Sequence, residues 1–140
     1  MITGINHVSM KCHGAEELKK VLAFYVDLLG IKIARIWDKD KNPIGLDEYT
    51  NRMDEIEGLM LDTGNGKIEI FTNLDYEPDT GIIRHFALDV DDAVMYAEKC
   101  KAAGYEIFMG PKDINLGGQK GKIAFCFGPL KEQIEFYQLN

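Results

Sequence analysis

The sequence has few cysteines, no long apolar run and no excess of basic residues. Its three cysteines, Cys12, Cys100 and Cys126, include no Cys-x-x-Cys pair, which argues against a disulfide framework and a cysteine-rich zinc site. This pattern favours a reducing cytoplasm. No apolar run approaches the ~20 residues of a membrane span. Residues 1–4 show no basic stretch followed by an apolar one, so we expect no signal peptide.

The charge balance argues against a nucleic-acid-binding protein. A net charge of -7 makes the chain a poor candidate for binding the phosphate backbone of a nucleic acid. Apolar residues make up 46% of the sequence, which is enough to build a core. A length of 140 residues suits one domain or two small, closely packed modules. We therefore expect a folded domain that does not bind nucleic acid.

The chain repeats one pattern in its two halves. The sequence INHVSM at residues 5–10 is echoed by IRHFAL at residues 83–88. Each segment alternates like a strand and carries one histidine, His7 in the first half and His85 in the second. A repeat of roughly seventy residues is too long for a solenoid unit, and the match is too regular for chance.

A second echo follows later in each half. The sequence KIEIF at residues 67–71 is matched by QIEFY at residues 133–137, and the shared glutamates are Glu69 and Glu135. Two histidines and two glutamates at matching places of a duplicated unit can converge across a pseudo-two-fold axis. Imidazole and carboxylate are ligand types of divalent metals. The repeat therefore predicts a metal site.

The pattern of apolar residues predicts the order βαβββ in each half. Apolar residues recur at close to a 3.6-residue period before Gly30, which is placed to end the first helix. The pair Asp91-Asp92 can begin the second helix, which Gly104 ends. The polar residues 38–55 predict a long loop. The predicted strands are 3–11, 31–37, 57–62, 67–72, 82–89, 105–109, 121–127 and 132–139, and the predicted helices are 16–29 and 93–103.

Strand alternation separates the candidate ligands from the core. Alternate side chains of a strand share a face, so Glu69 lies opposite Ile68 and Ile70. The same rule applies to the other three candidates: His7, His85 and Glu135. The apolar faces would pack against the helix of each module. The candidate ligands would face the concave side of the sheet.

These residues also have simpler interpretations. A single histidine on a strand is often a hydrogen-bonded structural residue, and a single glutamate there is often solvated. The duplication favours the metal site, because the same residue type recurs at the same place. We interpret His13 as a loop residue, Cys12 and Cys126 as small packing residues, Cys100 as a core residue, and Trp37 as a core or pocket residue.

Two segments resemble the vicinal oxygen chelate superfamily of glyoxalases, bleomycin resistance proteins and dioxygenases. FYVDLLG at residues 24–30 looks like the end of its first helix, and HFALDVDD at residues 85–92 looks like its third-quarter strand and helix entry. The resemblance covers nearly the whole chain. It implies an α+β fold in which two βαβββ modules, about 1–73 and 82–140, form a curved, cup-like mixed sheet within a single domain.

Within this superfamily, the order His, Glu, His, Glu is similar to glyoxalase I (lactoylglutathione lyase). The resemblance implies that one divalent ion per site, Ni²⁺, Zn²⁺, Co²⁺ or Mn²⁺, is held by four residues: His7, Glu69, His85 and Glu135. The implied reaction is lyase or isomerase chemistry on a hemithioacetal of a 2-oxoaldehyde through an enediolate. Glu135, with Glu69 as its counterpart, would move the proton between adjacent carbons.

Other functions remain open at this point. The ring-cleaving dioxygenases of the superfamily use two His and one Glu. The chain also resembles methylmalonyl-CoA epimerases, which usually have Gln where Glu69 stands. A dioxygenase or an epimerase is therefore an alternative. A thiol transferase and a non-catalytic small-molecule-binding protein are further alternatives. Residues 38–55 contain no cluster of arginines that would hold glutathione carboxylates, and residues 128–131 replace a turn found in many members.

The resemblance also implies a homodimer. In glyoxalase I-like dimers, the first-half ligands of one chain meet the second-half ligands of the other. The connector at residues 74–81 is long enough to let the site form within one chain or between two chains.

Overall fold

The chain divides into two compact units, Met1–Glu77 and Pro78–Asn140. The computed structural model describes residues 7–72, 85–116 and 119–140. The start of the first predicted strand, the connector at 74–81 and residues 82–84 of the fifth predicted strand lie outside these ranges. Within the described residues, neither α-helix is long and apolar enough to cross a bilayer.

The first unit contains one α-helix and a five-stranded mixed sheet. The helix α1 spans Gly14–Leu22. The strands are β1 (His7–Lys11), β2 (Lys32–Asp38), β3 (Pro43–Ile44), β4 (Ile56–Asp62) and β5 (Lys67–Phe71). Their order across the sheet is β1-β5-β4-β2-β3. Strand β1 is parallel to β5, and the other neighbours are antiparallel.

Helix α1 continues into a π-helical segment at Ala23–Leu28. The adjacent residues Phe24 and Tyr25 of this segment are both fully buried. Their rings meet edge to face, with centroids 4.9 Å apart. Gly30 follows with φ +75°, a left-handed conformation that glycine adopts without strain. The prediction that Gly30 ends this helix is therefore confirmed.

The predicted long loop at residues 38–55 contains one short strand, β3. Strand β3 pairs with the end of β2, and its apolar residue Ile44 is buried at 3% exposure within a mostly polar segment. The Asp38 carboxylate closes the intervening turn by accepting hydrogen bonds from the backbone N–H groups of Asp40 and Asn42, each at 2.9 Å. Two short 3₁₀ turns follow, at Tyr49–Asn51 and Met53–Glu55.

The second unit repeats the element order of the first but has no counterpart of the short strand β3 among its described residues. The helix α2 spans Ala93–Ala102, and the strands are β6 (Phe86–Asp89), β7 (Ile107–Leu116), β8 (Gln119–Phe127) and β9 (Gln133–Leu139). Their order is β6-β9-β8-β7, with β6 parallel to β9. The α+β fold class is confirmed. Strand β7 extends well beyond the predicted 105–109. The prediction ended too early because the second half of this strand is mostly polar and exposed, so its sequence shows little apolar alternation.

Helix α2 packs against β7, β8 and β9. The Tyr96 ring stacks on the buried Phe136 ring of β9, with centroids 5.5 Å apart. The Asp92 carboxylate caps the helix by accepting a hydrogen bond of 3.0 Å from the Met95 backbone N–H, as predicted. Ile134 and Phe136 are both fully buried. The apolar side of β9 therefore faces the helix of its own unit.

Candidate metal centre

The first histidine and the first glutamate form a pair within the first unit. Strand β1 runs parallel to β5 with Ser9 opposite Glu69, so His7 lies two residues away on the same face of the sheet. Nε2 of His7 is 3.4 Å from Oε2 of Glu69. Ile68 and Ile70 on either side of Glu69 are buried. The alternation that buries these two residues turns the carboxylate toward His7.

The second histidine and the second glutamate form an equivalent pair within the second unit. His85 directly precedes β6, and Ala87 on β6 lies opposite Glu135 on the parallel strand β9. Nε2 of His85 is 3.1 Å from Oε2 of Glu135. Phe125 on β8 lies opposite Glu135, and its ring meets the imidazole of His85 edge to face at a centroid distance of 5.1 Å. This contact supports the orientation of the imidazole.

The two pairs are built in the same register. In each unit, the residue opposite the glutamate comes two positions after the histidine: Ser9 after His7, and Ala87 after His85. Two ligand atoms about 2.1 Å from one ion lie roughly 3.0 Å apart in octahedral and roughly 3.4 Å apart in tetrahedral geometry. The N–O distances of 3.4 and 3.1 Å fall in this range. Each pair thus fits two ligands of one divalent ion.

The same distances also suit an ion pair with a protonated imidazole. Among residues 7–72, 85–116 and 119–140, no group of three or more His, Cys, Asp or Glu side chains is assembled as a metal-binding set. Each unit contributes one imidazole and one carboxylate. The assignment of all four residues to a single ion stays a prediction.

The two glutamates differ in how far they are enclosed. The side chain of Glu135 is 11% exposed, and that of Glu69 is 16% exposed. The two histidines are far more open, with side chains that are 37% and 39% exposed. In each pair the carboxylate is therefore the more buried member, and the imidazole is the more solvent-exposed member.

Trp37 lines a cavity of about 330 Å³ in the first unit. Arg35 and Lys41 line the same cavity, and the sequence analysis did not identify them as functional residues. The alternation of β2 places Arg35 on the same face as Trp37. This alternation could have identified Arg35 from the sequence as a second residue of the cavity. Lys41 lies in the turn between β2 and β3, where no periodicity indicates its direction.

The remaining candidates have structural roles. The backbone N–H of His13, directly before α1, donates a hydrogen bond of 2.6 Å to Oε2 of Glu17.

All three cysteines are fully buried, as predicted. Burial, with Glu17 nearby, raises the pKa of the Cys12 thiol to about 12. A hydrogen bond with Cys100 and burial raise the pKa of the Cys126 thiol. Cys12 and Cys126 therefore remain protonated packing residues at neutral pH.

The repeated βαβββ order, with the extra short strand β3 in the first unit and a His–Glu pair at the same register in each half, is that of a glyoxalase-like α+β domain. A sequence model of the Glyoxalase/Bleomycin resistance protein/Dioxygenase superfamily matches residues 4–136. The chain belongs to this superfamily. No curated protein sequence matches it.

Several solved structures share this fold. The glyoxalase family protein from Enterococcus faecalis is 22% identical, with a TM-score of 0.65 over 96% of each chain. The glyoxalase/dioxygenase from Nostoc punctiforme is 16% identical, with a TM-score of 0.67 over 98% of this chain and 91% of the other. The glyoxalase/bleomycin resistance protein/dioxygenase from Alicyclobacillus acidocaldarius is 16% identical, with a TM-score of 0.59 over 97% of this chain and 91% of the other. Similarity at these identities establishes the fold alone.

Proposed function

We propose that the protein is a metal-dependent lyase or isomerase of the glyoxalase I type. Its substrate would be a hemithioacetal of a 2-oxoaldehyde, which reacts through an enediolate. One observation carries this proposal: the same His–Glu pair occurs at the same strand register in both halves of a glyoxalase-superfamily domain.

The ligands of the proposed centre are His7 and Glu69 from the first unit and His85 and Glu135 from the second. The bound ion would supply a Lewis acid that stabilises negative charge on the vicinal oxygens of the substrate. Ni²⁺, Zn²⁺, Co²⁺ and Mn²⁺ all accept imidazole nitrogen and carboxylate oxygen, so the donor types do not select one of them.

We assign the proton transfer to Glu135, with Glu69 as its counterpart. Glu135 is the more enclosed of the two carboxylates, and the rings of His85 and Phe125 pack together beside it. A carboxylate with little access to bulk water exchanges its proton with the bound substrate in preference to the solvent. The proton would leave one carbon for Glu135 and return to the adjacent carbon.

We also propose a cytoplasmic location. Cys12, Cys100 and Cys126 are all unpaired thiols. Unpaired cysteines without disulfides are typical of a reducing compartment. The buried positions of these thiols indicate that they serve as packing residues.

Metal analysis combined with a turnover assay tests this function. The purified chain should hold a divalent ion, and it should convert a mixture of methylglyoxal and a thiol without consuming oxygen. Oxygen uptake with a catechol would instead identify a dioxygenase. Bound metal without turnover of any hemithioacetal would contradict the lyase assignment, and the absence of metal binding would favour a non-catalytic binding protein.

The complete centre is proposed to form between the two chains of a homodimer. His7 and Glu69 of one subunit would join His85 and Glu135 of its mate, which gives two equivalent sites by closed two-fold symmetry. We expect that mixing inactive His7→Ala protein with inactive His85→Ala protein restores activity after subunit exchange. A mixed dimer would contain one doubly damaged site and one intact site. Equal mixing should return roughly a quarter of wild-type activity, because half of the dimers are mixed.

Exchange is followed by native mass spectrometry of one isotope-labelled and one unlabelled variant. Each variant alone, taken through the same exchange protocol, should remain inactive and provides the control. Mixed dimers without any activity would place each site within a single chain.

A further inference from the structure

The cavity of the first unit lies beside the His7–Glu69 pair. Strands β2, β3 and β5 contribute to it, together with the turn between β2 and β3. Its lining residues are Arg35, Ile36, Trp37, Lys41, Pro43 and Glu69. Glu69 belongs both to this cavity and to the proposed metal centre. A molecule bound in the cavity would therefore lie next to the reacting position.

Trp37 forms an aromatic wall of this cavity. It pairs with Gly58 on β4, where the absence of a side chain makes room for the indole: a Cβ at Gly58 would lie 2.5 Å from it. Phe71 on β5 pairs with Gly58 from the other side, and its ring meets the indole edge to face at a centroid distance of 5.9 Å. The indole is half-buried, so part of its surface can pack against an apolar ligand.

Arg35 provides the positive charge that a ligand can use. The second cation of the cavity, Lys41, is already ion-paired with Glu57. The guanidinium carbon of Arg35 is 5.7 Å from the centroid of the Trp37 ring. In the described part of the chain, no carboxylate lies within ion-pair distance of Arg35. A guanidinium stacked on an aromatic ring keeps its N–H donors available for a carboxylate.

The sheet sets the distance between this charge and the proposed centre. Arg35 pairs with Met60 on β4, and Met60 pairs with Glu69 on β5. Two strand spacings therefore separate the backbones of Arg35 and Glu69, a distance on the order of 10 Å. A ligand that reaches both residues needs an extended body between its charged end and its reacting end.

We propose that this cavity selects substrates with a carboxylate at the far end of an aromatic or apolar body. Arg35 would bind the carboxylate, and Trp37 would pack against the body. The net charge of -7 disfavours the binding of anionic ligands to the protein in general. The positive charge of Arg35 therefore has a large effect on where an anionic ligand binds. The reaction of such a substrate rests on the proposed function, whereas its binding requires only the cavity.

The experiment compares three probes: 3-phenylpropionate, its neutral amide 3-phenylpropanamide, and propionate. Binding is measured on the full chain after metal removal with a chelator. Trp37 is the only tryptophan in the sequence, so tryptophan fluorescence reports on the cavity directly. Titration calorimetry gives a second readout that does not depend on the indole. We expect 3-phenylpropionate to bind about tenfold more tightly than the other two probes, and to change the Trp37 emission.

Variants identify the residue responsible for this preference. Arg35→Met should bind the acid and the amide equally. Arg35→Lys should retain part of the preference, because a point charge replaces the guanidinium fork. Lys20→Met is the matched control: it removes one positive charge from an exposed position of α1 and should bind all three probes like the wild type.

Equal binding of acid and amide by the wild type would overturn the proposal, as would a preference that survives in Arg35→Met. Metal analysis tests the proposed metal centre independently of the carboxylate preference. Arg35→Met should keep the wild-type metal content, and chelated His7→Ala should keep the carboxylate preference. If the histidine variants hold metal like the wild type, the proposed function fails while the cavity result stands.

Discussion

His7→Ala and His85→Ala should each lower the affinity of the protein for Ni²⁺ or Zn²⁺ by at least about 100-fold. Removing a group that only orients a metal ligand costs about 10–100-fold, and loss of the ligand itself should cost more. The two side chains are 37% and 39% exposed, so their truncation should leave the fold intact. Titration calorimetry on metal-free protein measures the affinity, and circular dichroism checks the fold.

His13→Ala is the matched control for these variants. His13 is the third and last histidine of the sequence and precedes α1. It should bind metal like the wild type, which would show that the loss at His7 and His85 depends on position. A His7→Ala, His85→Ala double variant with full metal occupancy would remove the basis for the centre.

Glu135→Gln should lower kcat by about 10²–10⁴-fold while most of the metal stays bound, because a general base contributes this much to a proton transfer. The amide keeps a carbonyl oxygen that can coordinate an ion, but it cannot accept the proton. The change is close to isosteric, which matters because the residue at 135 is 8% exposed and lies between two fully buried neighbours. Steady-state kinetics with a hemithioacetal, paired with metal analysis of the same sample, measures both quantities.

Glu69→Gln provides the paired comparison in the first unit. Its effect on kcat should be milder, since the epimerases that the chain resembles usually have glutamine at this place. A larger loss for Glu69→Gln than for Glu135→Gln would move the base to the first unit. Wild-type turnover in Glu135→Gln would refute the assignment altogether.

The two strands that hold the candidate glutamates were predictable because apolar residues stand on either side of each glutamate in the sequence. Ile68 and Ile70 on β5, and Ile134 and Phe136 on β9, mark one face without ambiguity. The same signal is missing from β3, which has two residues, and from the exposed second half of β7. The π-helical segment was also missed, because a single wide turn hardly changes the helical period of the apolar residues.

The pairs themselves depend on contacts that are distant in sequence. Alternation predicts the face of Glu69 but not that β5 lies beside β1 in parallel, with Ser9 opposite Glu69. That register is what brings His7 within 3.4 Å of the carboxylate. The cavity wall is a similar case, because the position of Trp37 depends on a glycine on the neighbouring strand. Such pairings cannot be read from local periodicity.

Insertions and deletions would affect β5 and β9 in a different way from substitutions. One residue added before Glu69 would exchange the two faces of the rest of the strand. The carboxylate would then point toward the side where Ile68 and Ile70 are buried, and an isoleucine would face His7 instead. A deletion before Glu135 would have the same effect on β9. The residue count of these two strands is therefore under a stricter constraint than the identity of most of their exposed side chains.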